Sequence, residues 1–344
     1  MTREGGPLTY GKAGVDVSAA ARLLDRLSPV IGATRGPEWV DHPSPYAGLI
    51  RPETGTMADP LIAATCDGVG TKLLLARGPA DFEGLGVDLV AMSVNDLLPL
   101  AARPILFLDY LATARLDPER IEAAIRGIAA GCREAGCALL GGETAEMPGM
   151  YPDGELEMVG FAVGMVDAEL LPDPTTARPG DAVVGLPSTG LHSNGFSLAR
   201  AALLERGGLD LDHEVRPGMT LGDELLTPTA IYVRPVLDLA ATIGFKAAAH
   251  VTGGGLLGRA GAMLPTGLEV RIDPAGFTRP PVIDLVATHG GVEEAELAAT
   301  FNMGLGFLAV IAADDTAAAV ELGWRLVGEV TDGKRRVVFG DVAV

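Results

Sequence analysis

The sequence predicts an α+β protein in two domains, the second a mixed α/β domain. Short apolar runs alternate with stretches of helical period in both halves, without a strict βαβ rhythm. A break at Leu171–Gly180, with Pro172, Pro174, Pro179 and Gly180, interrupts every regular pattern near the middle. A length of 344 residues suits two domains of roughly 100–200 residues each. The expected division is residues 1–170 and 171–344.

Residues 1–60 are poorly periodic, with Pro and Gly scattered through Asp41–Ala47 and Arg51–Gly55. Leu61–Thr65 reads as a strand ending at Cys66-Asp67-Gly68. Leu85–Val94 reads as a helix, with Leu85, Leu89 and Met92 on one face, running into Asn95-Asp96. Pro104–Leu111 is a buried strand. The next helix has Asp117 as N-cap, Pro118 in the first position, a stripe of Ile121, Ile125, Ile128 and Cys132, and Gly136 as its stop. Strands Cys137–Leu140 and Met158–Val166 follow, the first leading into Gly141-Gly142-Glu143.

The second half restarts with strand Ala182–Leu186, loop Ser188–Gly195 and helix Phe196–Arg206. Strand Ala247–Val251 leads to the run Thr252–Gly255, then come strand Leu268–Ile272, helix Val282–His289 and strand Gly306–Ile311. Leu326–Val330 and Arg335–Phe339 are expected to close the chain as a hairpin turned at Asp332-Gly333.

A net charge of −19 excludes the basic stripe of a nucleic-acid surface. It also means that any phosphate-bearing substrate needs local screening by a divalent cation, helix N-termini or a few Lys and Arg. Cys66, Cys132 and Cys137 form no CxxC pair, so neither a disulfide framework nor a zinc signature is present. The polar start Met-Thr-Arg-Glu-Gly-Gly lacks a signal peptide's apolar stretch, and no run of about 18 apolar residues occurs. The expectation is a cytoplasmic protein without nucleic-acid or membrane partners.

Several segments set polar residues in glycine-flanked turns. In Cys66–Lys72, Gly68 and Gly70 let backbone N–H groups approach phosphate oxygens, Lys72 can neutralise charge, and Asp67 can bind a cation. No GxxxxGK[ST] loop occurs anywhere. Asn95-Asp96 ends an apolar helix, and Gly141-Gly142 places Glu143 at a strand's C-terminal end. Asp67, Asp96 and Glu143 together would offer Mg²⁺ the hard oxygen ligands it prefers. Ser188–Gly195 carries His192, Ser193 and Asn194 in front of a helix start able to hold an anion. The other histidines, His42, His213, His250 and His289, take a structural default. Gly253, Gly254 and Gly255 in a row suggest a close backbone approach, and Thr300–Gly306 is a last candidate loop.

Together these segments resemble the phosphoribosylformylglycinamidine cyclo-ligase (aminoimidazole ribonucleotide synthetase) family. The match runs in order from Tyr10–Asp16 (YGKAGVD) through DGVGTK at Asp67–Lys72, DLVAMSVND at Asp88–Asp96 and FLDYLA at Phe107–Ala112. It continues with GGETAEMPGMY at Gly141–Tyr151, GLHSNG at Gly190–Gly195, TGGG at Thr252–Gly255 and the Phe301–Gly306 loop. The resemblance implies a two-domain fold whose N-terminal sheets pair into a barrel across a homodimer, with ATP near that interface. It implies that ATP phosphorylates the formamide oxygen of formylglycinamidine ribonucleotide, that the amidine nitrogen then attacks, and that ADP and phosphate leave. On that basis Asp67, Asp96 and Glu143 are assigned to a Mg²⁺–phosphate site, with Gly68, Gly70, Thr71 and Asn95 beside the ATP phosphates. Lys72 would stabilise the transferred phosphoryl group, and His192 with Asn194 would orient or protonate the substrate. Ser193 and Gly253–Gly255 would bind substrate, while Lys12 and Asp16 would help cover the nucleotide.

The chain departs from the family pattern at Pro43–Gly48, where a GGFGG-like stretch is usual. It departs again at Leu256–Pro265, where LxENxPRxLP is usual and Arg259 is left as the positive group. A selenophosphate synthetase would want a reactive Cys in the early segment, and none precedes Cys66. A thiamine-phosphate kinase typically lacks GLHSNG and GGETAEMPGMY. A non-catalytic nucleotide-binding subunit is favoured only by the altered Gly258–Met263 segment.

Overall fold

The computed structural model describes residues 17–41, 47–55, 57–334 and 336–343. Lys12, Asp16 and Arg335 lie outside the described residues. The N-terminal half contains α1 (Val17–Gly32), a small hairpin of β1 (Trp39–Val40) and β2 (Leu49–Ile50), β3 (Pro60–Gly68), and α2 (Asp81–Asn95). Then follow β4 (Arg103–Thr113), α3 (Pro118–Ala135), β5 (Ala138–Glu146) and β6 (Leu156–Asp167). Its sheet runs β3-β6-β4-β5, and only β4 and β5 are parallel, which is why the long crossover α3 stands between them. The α3 ends form as expected: the Asp117 side chain accepts from the N–H of Glu119 and Arg120, and Gly136 takes a left-handed φ of 69°.

The helices cover one face of this sheet, and the other carries exposed apolar side chains, with the β1–β2 hairpin beside Leu108, Tyr110 and Phe161. Register places Asp67, Gly160, Asp109 and Gly142 side by side on the helix face. The alternate residues face outward, so Ile62 is 75% exposed, Phe161 41% and Leu108 36%, an apolar surface on a single sheet. Gly86 and Gly127 bring α2 and α3 backbone to backbone: a Cβ on Gly127 would collide with the carbonyl oxygen of Glu83.

Asp109 is buried, its carboxylate packed against the bare Cα of Gly142, and burial pushes its pKa up to about 7. Between pH ~4 and ~7 the folded protein therefore keeps a proton that the unfolded chain has released, so this group erodes stability as pH rises and levels off above ~7. Asp109→Asn should be close to neutral near pH 4 and stabilising by about 2–4 kcal/mol at pH 8. Melting curves across that range check it, and a pH-independent difference would count against the buried-acid account.

The C-terminal half begins with β7 (Ala182–Pro187) and α4 (Phe196–Arg200), which runs on as a π-helical turn, Ala201–Arg206. It continues through β8 (Glu214–Arg216), β9 (Met219–Thr220), α5 (Leu221–Leu226), α6 (Val233–Thr242), β10 (Ala247–His250) and α7 (Gly255–Ala262). The remainder is β11 (Leu268–Ile272), α8 (Pro281–Gly290), α9 (Glu294–Thr300), β12 (Leu305–Ile311), α10 (Thr316–Glu321), β13 (Arg325–Asp332), β14 (Val337–Phe339) and β15 (Val342–Ala343). The seven-stranded sheet runs β10-β12-β7-β13-β11-β14-β15.

The structure corrects two expectations. The closing strands are not a hairpin, because β11 lies between β13 and β14. Val270 of β11 pairs with Val330 on one side and Val337 on the other, and all three are fully buried, so insertion gives each strand an apolar partner. Second, Gly141-Gly142-Glu143 is not a loop. It continues β5, pairing along β4 from Leu108 to Tyr110.

A continuous buried cluster joins the halves: Leu89, Val94, Leu97 and Phe107 of the first pack in one core with Val184, Tyr232, Phe307 and Trp324 of the second. A second cluster fills the far side of the large sheet, under α7 and α8.

Candidate active site

Of the segments expected to carry chemistry, Cys66–Lys72, Asn95-Asp96, Ser188–Gly195 and Thr252–Gly255 meet where the halves join, and Gly141–Glu143 does not. Asp67 sits at the end of β3, and its Oδ1 accepts from the Gly68 N–H at 2.7 Å. Asp96 follows α2, and its Oδ1 lies 2.8 Å from Nδ1 of His250, the last residue of β10. Burial raises the Asp67 pKa most; the Gly68 bond opposes this, Asp96 adds to it, and His250 and Arg259 pull it down. Two carboxylates, an imidazole and a guanidinium thus share one electrostatic neighbourhood. The Asp67 and Asp96 oxygens not used in these bonds have no hydrogen-bond partner among the described residues.

Gly70 has φ 69°, with open space where a Cβ would be, and starts the 3₁₀ turn Gly70–Leu75. Thr71 is exposed, its hydroxyl 3.3 Å from that of Ser197. Lys72 turns the other way. Its side chain is fully buried, with Nζ 2.7 Å from Asp88 Oδ2 and donating to the Thr227 carbonyl at 2.8 Å. Asn95 is buried as well: its amide donates to the Ala230 carbonyl and its oxygen accepts from the Tyr232 N–H, both at 2.8 Å. Both side chains are thus bonded to the segment 227–232 or to Asp88 rather than turned toward Asp67.

Glu143 is not brought together with Asp67 and Asp96 in the chain. Register sets it opposite Tyr110, on the outward face, whereas Asp67 is on the helix face three strand spacings away, about 14 Å. Among the described residues no group of three or more His, Cys, Asp or Glu side chains could hold a metal ion. Glu143 instead lines a cavity of about 740 Å³ with Arg35, Trp39, Tyr110 and Phe161.

His192 adopts φ 63° in its turn, and its ring is buried. Nε2 accepts from the Thr189 N–H at 3.1 Å, which leaves the proton on Nδ1, where no partner is found among the described residues. Burial, and then the charges of His250 and Lys72, hold its pKa well below the ordinary value, so the ring is neutral. Ser193 and Asn194 are half-buried beside it, and Asn194 faces Gly253. Gly254 and Gly255 have φ 91° and 60°, and a Cβ on Gly255 would meet the Ala298 carbonyl oxygen at 2.5 Å, which accounts for the glycine run. Asn302 pins the neighbouring loop, donating to the Gly190 carbonyl at 2.8 Å and accepting from Ser188 and Gly304. Sequence reasoning missed His250 and Asp88. The available signals were a histidine directly before TGGG and one acid within an otherwise apolar helix face.

Comparison with known proteins defines the class first. Residues 47–166 match the family model "AIR synthase related protein, N-terminal domain", and residues 178–341 match the corresponding C-terminal domain. Among solved structures, thiamine-monophosphate kinase from Stenotrophomonas maltophilia superposes with a TM-score of 0.68 at 21% identity, covering 96% of this chain and 98% of that one. The hydrogenase maturation protein HypE in complex with ATP gives 0.63 at 19%, covering 95% and 92%. These likenesses establish the fold. The phosphoribosylformylglycinamidine cyclo-ligase of Sorangium cellulosum is 45% identical, over 97% of this chain and 99% of its own length. That of Carboxydothermus hydrogenoformans is 41% identical over the same shares. The chain belongs to the phosphoribosylformylglycinamidine cyclo-ligase family.

Proposed function

We propose that this protein closes the imidazole ring of aminoimidazole ribonucleotide, using ATP to activate formylglycinamidine ribonucleotide. The observation that carries this reading is 45% identity to a cyclo-ligase along nearly its whole length. The chemical need is plain: an amide oxygen leaves poorly as hydroxide and well as phosphate. Phosphoryl transfer mainly asks for positioning and charge neutralisation.

Residues 1–170 would carry ATP and dimer contacts, and residues 171–344 most of the substrate contacts. The free oxygens of Asp67 and Asp96 fit Mg²⁺, which commonly takes one or two carboxylates and completes its shell with water and phosphate. Bound there, Mg²⁺ would neutralise the phosphates. The backbone N–H groups of Gly70 and Thr71, at the start of the 3₁₀ turn beside Gly68, would orient the phosphates together with the exposed Thr71 hydroxyl, and Lys12 and Asp16 would cover the nucleotide. His192, held neutral, would orient substrate as an Nδ1–H donor rather than as an acid. Ser193, Asn194, Gly253 and Gly254 line the same side, and Arg259 supplies positive charge. The exposed apolar sheet face suits pairing with a second copy into a homodimer. The chain would work in the cytoplasm.

The test is to incubate the protein with formylglycinamidine ribonucleotide, ATP and Mg²⁺ and to follow aminoimidazole ribonucleotide and ADP. Matched release of both is expected. ATP binding without product would overturn the reading in favour of a nucleotide-binding subunit.

A further inference from the structure

The Lys72–Asp88 pair takes no part in the chemistry above, yet both side chains are 0% exposed. Asp88 Oδ1 accepts from the Thr229 N–H at 2.8 Å and from the Thr229 hydroxyl at 2.5 Å, while Lys72 holds the Thr227 carbonyl. Asn95 grips the same segment at Ala230 and Tyr232. Three side chains of the N-terminal half therefore hold residues 227–232 of the other half.

That segment in turn supports the loop carrying His192. The Thr189 hydroxyl donates to the Pro228 carbonyl at 2.6 Å, and the Ser193 hydroxyl lies 3.4 Å from that of Thr229. The Lys72 ammonium also sits 5.6 Å from the centre of the Phe196 ring, at the start of α4 just beyond the loop. A chain of contacts thus runs from α2 through Asp88 and Thr229 to Ser193. Buried ion pairs stabilise little compared with apolar side chains of equal volume, because desolvation offsets the attraction, but they constrain direction. Burial drives the Lys72 pKa down and Asp88 opposes that shift.

We propose that Lys72 and Asp88 are positioning residues, which act on turnover by setting the Gly190–Gly195 loop against the Asp67–Thr71 turn, without touching phosphate. The proposal rests on the ring-closing reading for its kinetic consequence and on these contacts for its structural one.

The double variant Lys72→Met/Asp88→Asn removes both charges at nearly constant volume. It should remain folded, bind ATP within about threefold of the native protein, and lose about 30–100-fold in kcat, the scale of a 1 Å misplacement. Amide hydrogen exchange within 189–194 and 227–232 should accelerate in the variant. A kcat within about threefold of native overturns the positioning role, and so does a tenfold or greater loss of ATP affinity, which would return Lys72 to the phosphates. Should the double variant fail to fold, Thr229→Val breaks the link between Asp88 and Ser193 alone, with about a 5–10-fold loss in kcat expected and an unchanged kcat overturning. If the native protein shows no turnover, the ring-closing reading fails by itself. Hydrogen exchange then still decides whether the pair orders the loop.

Discussion

Asp96→Asn should lower ring-closing turnover by about 10³-fold while leaving the melting temperature almost unchanged. The carboxylate is 32% exposed, so its charge contributes little to stability. Its loss would leave Asp67 as the only acid of the proposed metal–phosphate pair and exchange a charged partner of His250 for a neutral one. The asparagine oxygen can still accept from His250, so the comparison isolates charge from shape. Steady-state kinetics with saturating ATP and Mg²⁺, beside a thermal melt, check the prediction. Activity above about a tenth of native would remove Asp96 from the metal–phosphate site.

The largest expected effect on stability falls far from the chemistry. Gly127→Ala would drive a Cβ into the Glu83 carbonyl, and a backbone atom cannot swing aside as a side-chain tip does. α2 and α3 would have to part, at a cost of about 3 kcal/mol or more and a melting temperature lower by ~5–10 °C. Gly258→Ala is the matched control: it lies within α7, has nothing within 4 Å of the new carbon, and should gain helix propensity of about 0.5–1 kcal/mol. Equal melting temperatures for the two variants would contradict the close-packing account.

What was legible in the sequence was mostly local. Asp117, Pro118 and Gly136 bracket α3 because capping depends on residues a turn apart. The order of glycine-flanked motifs pointed to Asp67, Asp96 and His192 because each motif has its own backbone requirement. Long-range pairings were hidden. The Lys72–Asp88 pair could not be read from the sequence, because Asp88 lies on a different element and only folding brings the two to 2.7 Å. Glu143 read as part of a loop because the two glycines before it looked like a turn. A strand running through them sends Gly142 and Glu143 to opposite faces. The false hairpin has the same origin, since nothing near Asp332-Gly333 announces that β11 will come between its arms.

The core shared by the halves also bears on how ligands reach the site. Swinging the halves apart as on a hinge would strip Tyr232, Phe307 and Trp324 of their cover and break the Asn95 and Asp88 anchors at the same time. That route is closed on energetic grounds. If nucleotide binds at this seam, as proposed above, it would have to enter by movement of the surrounding loops and not by parting of the halves.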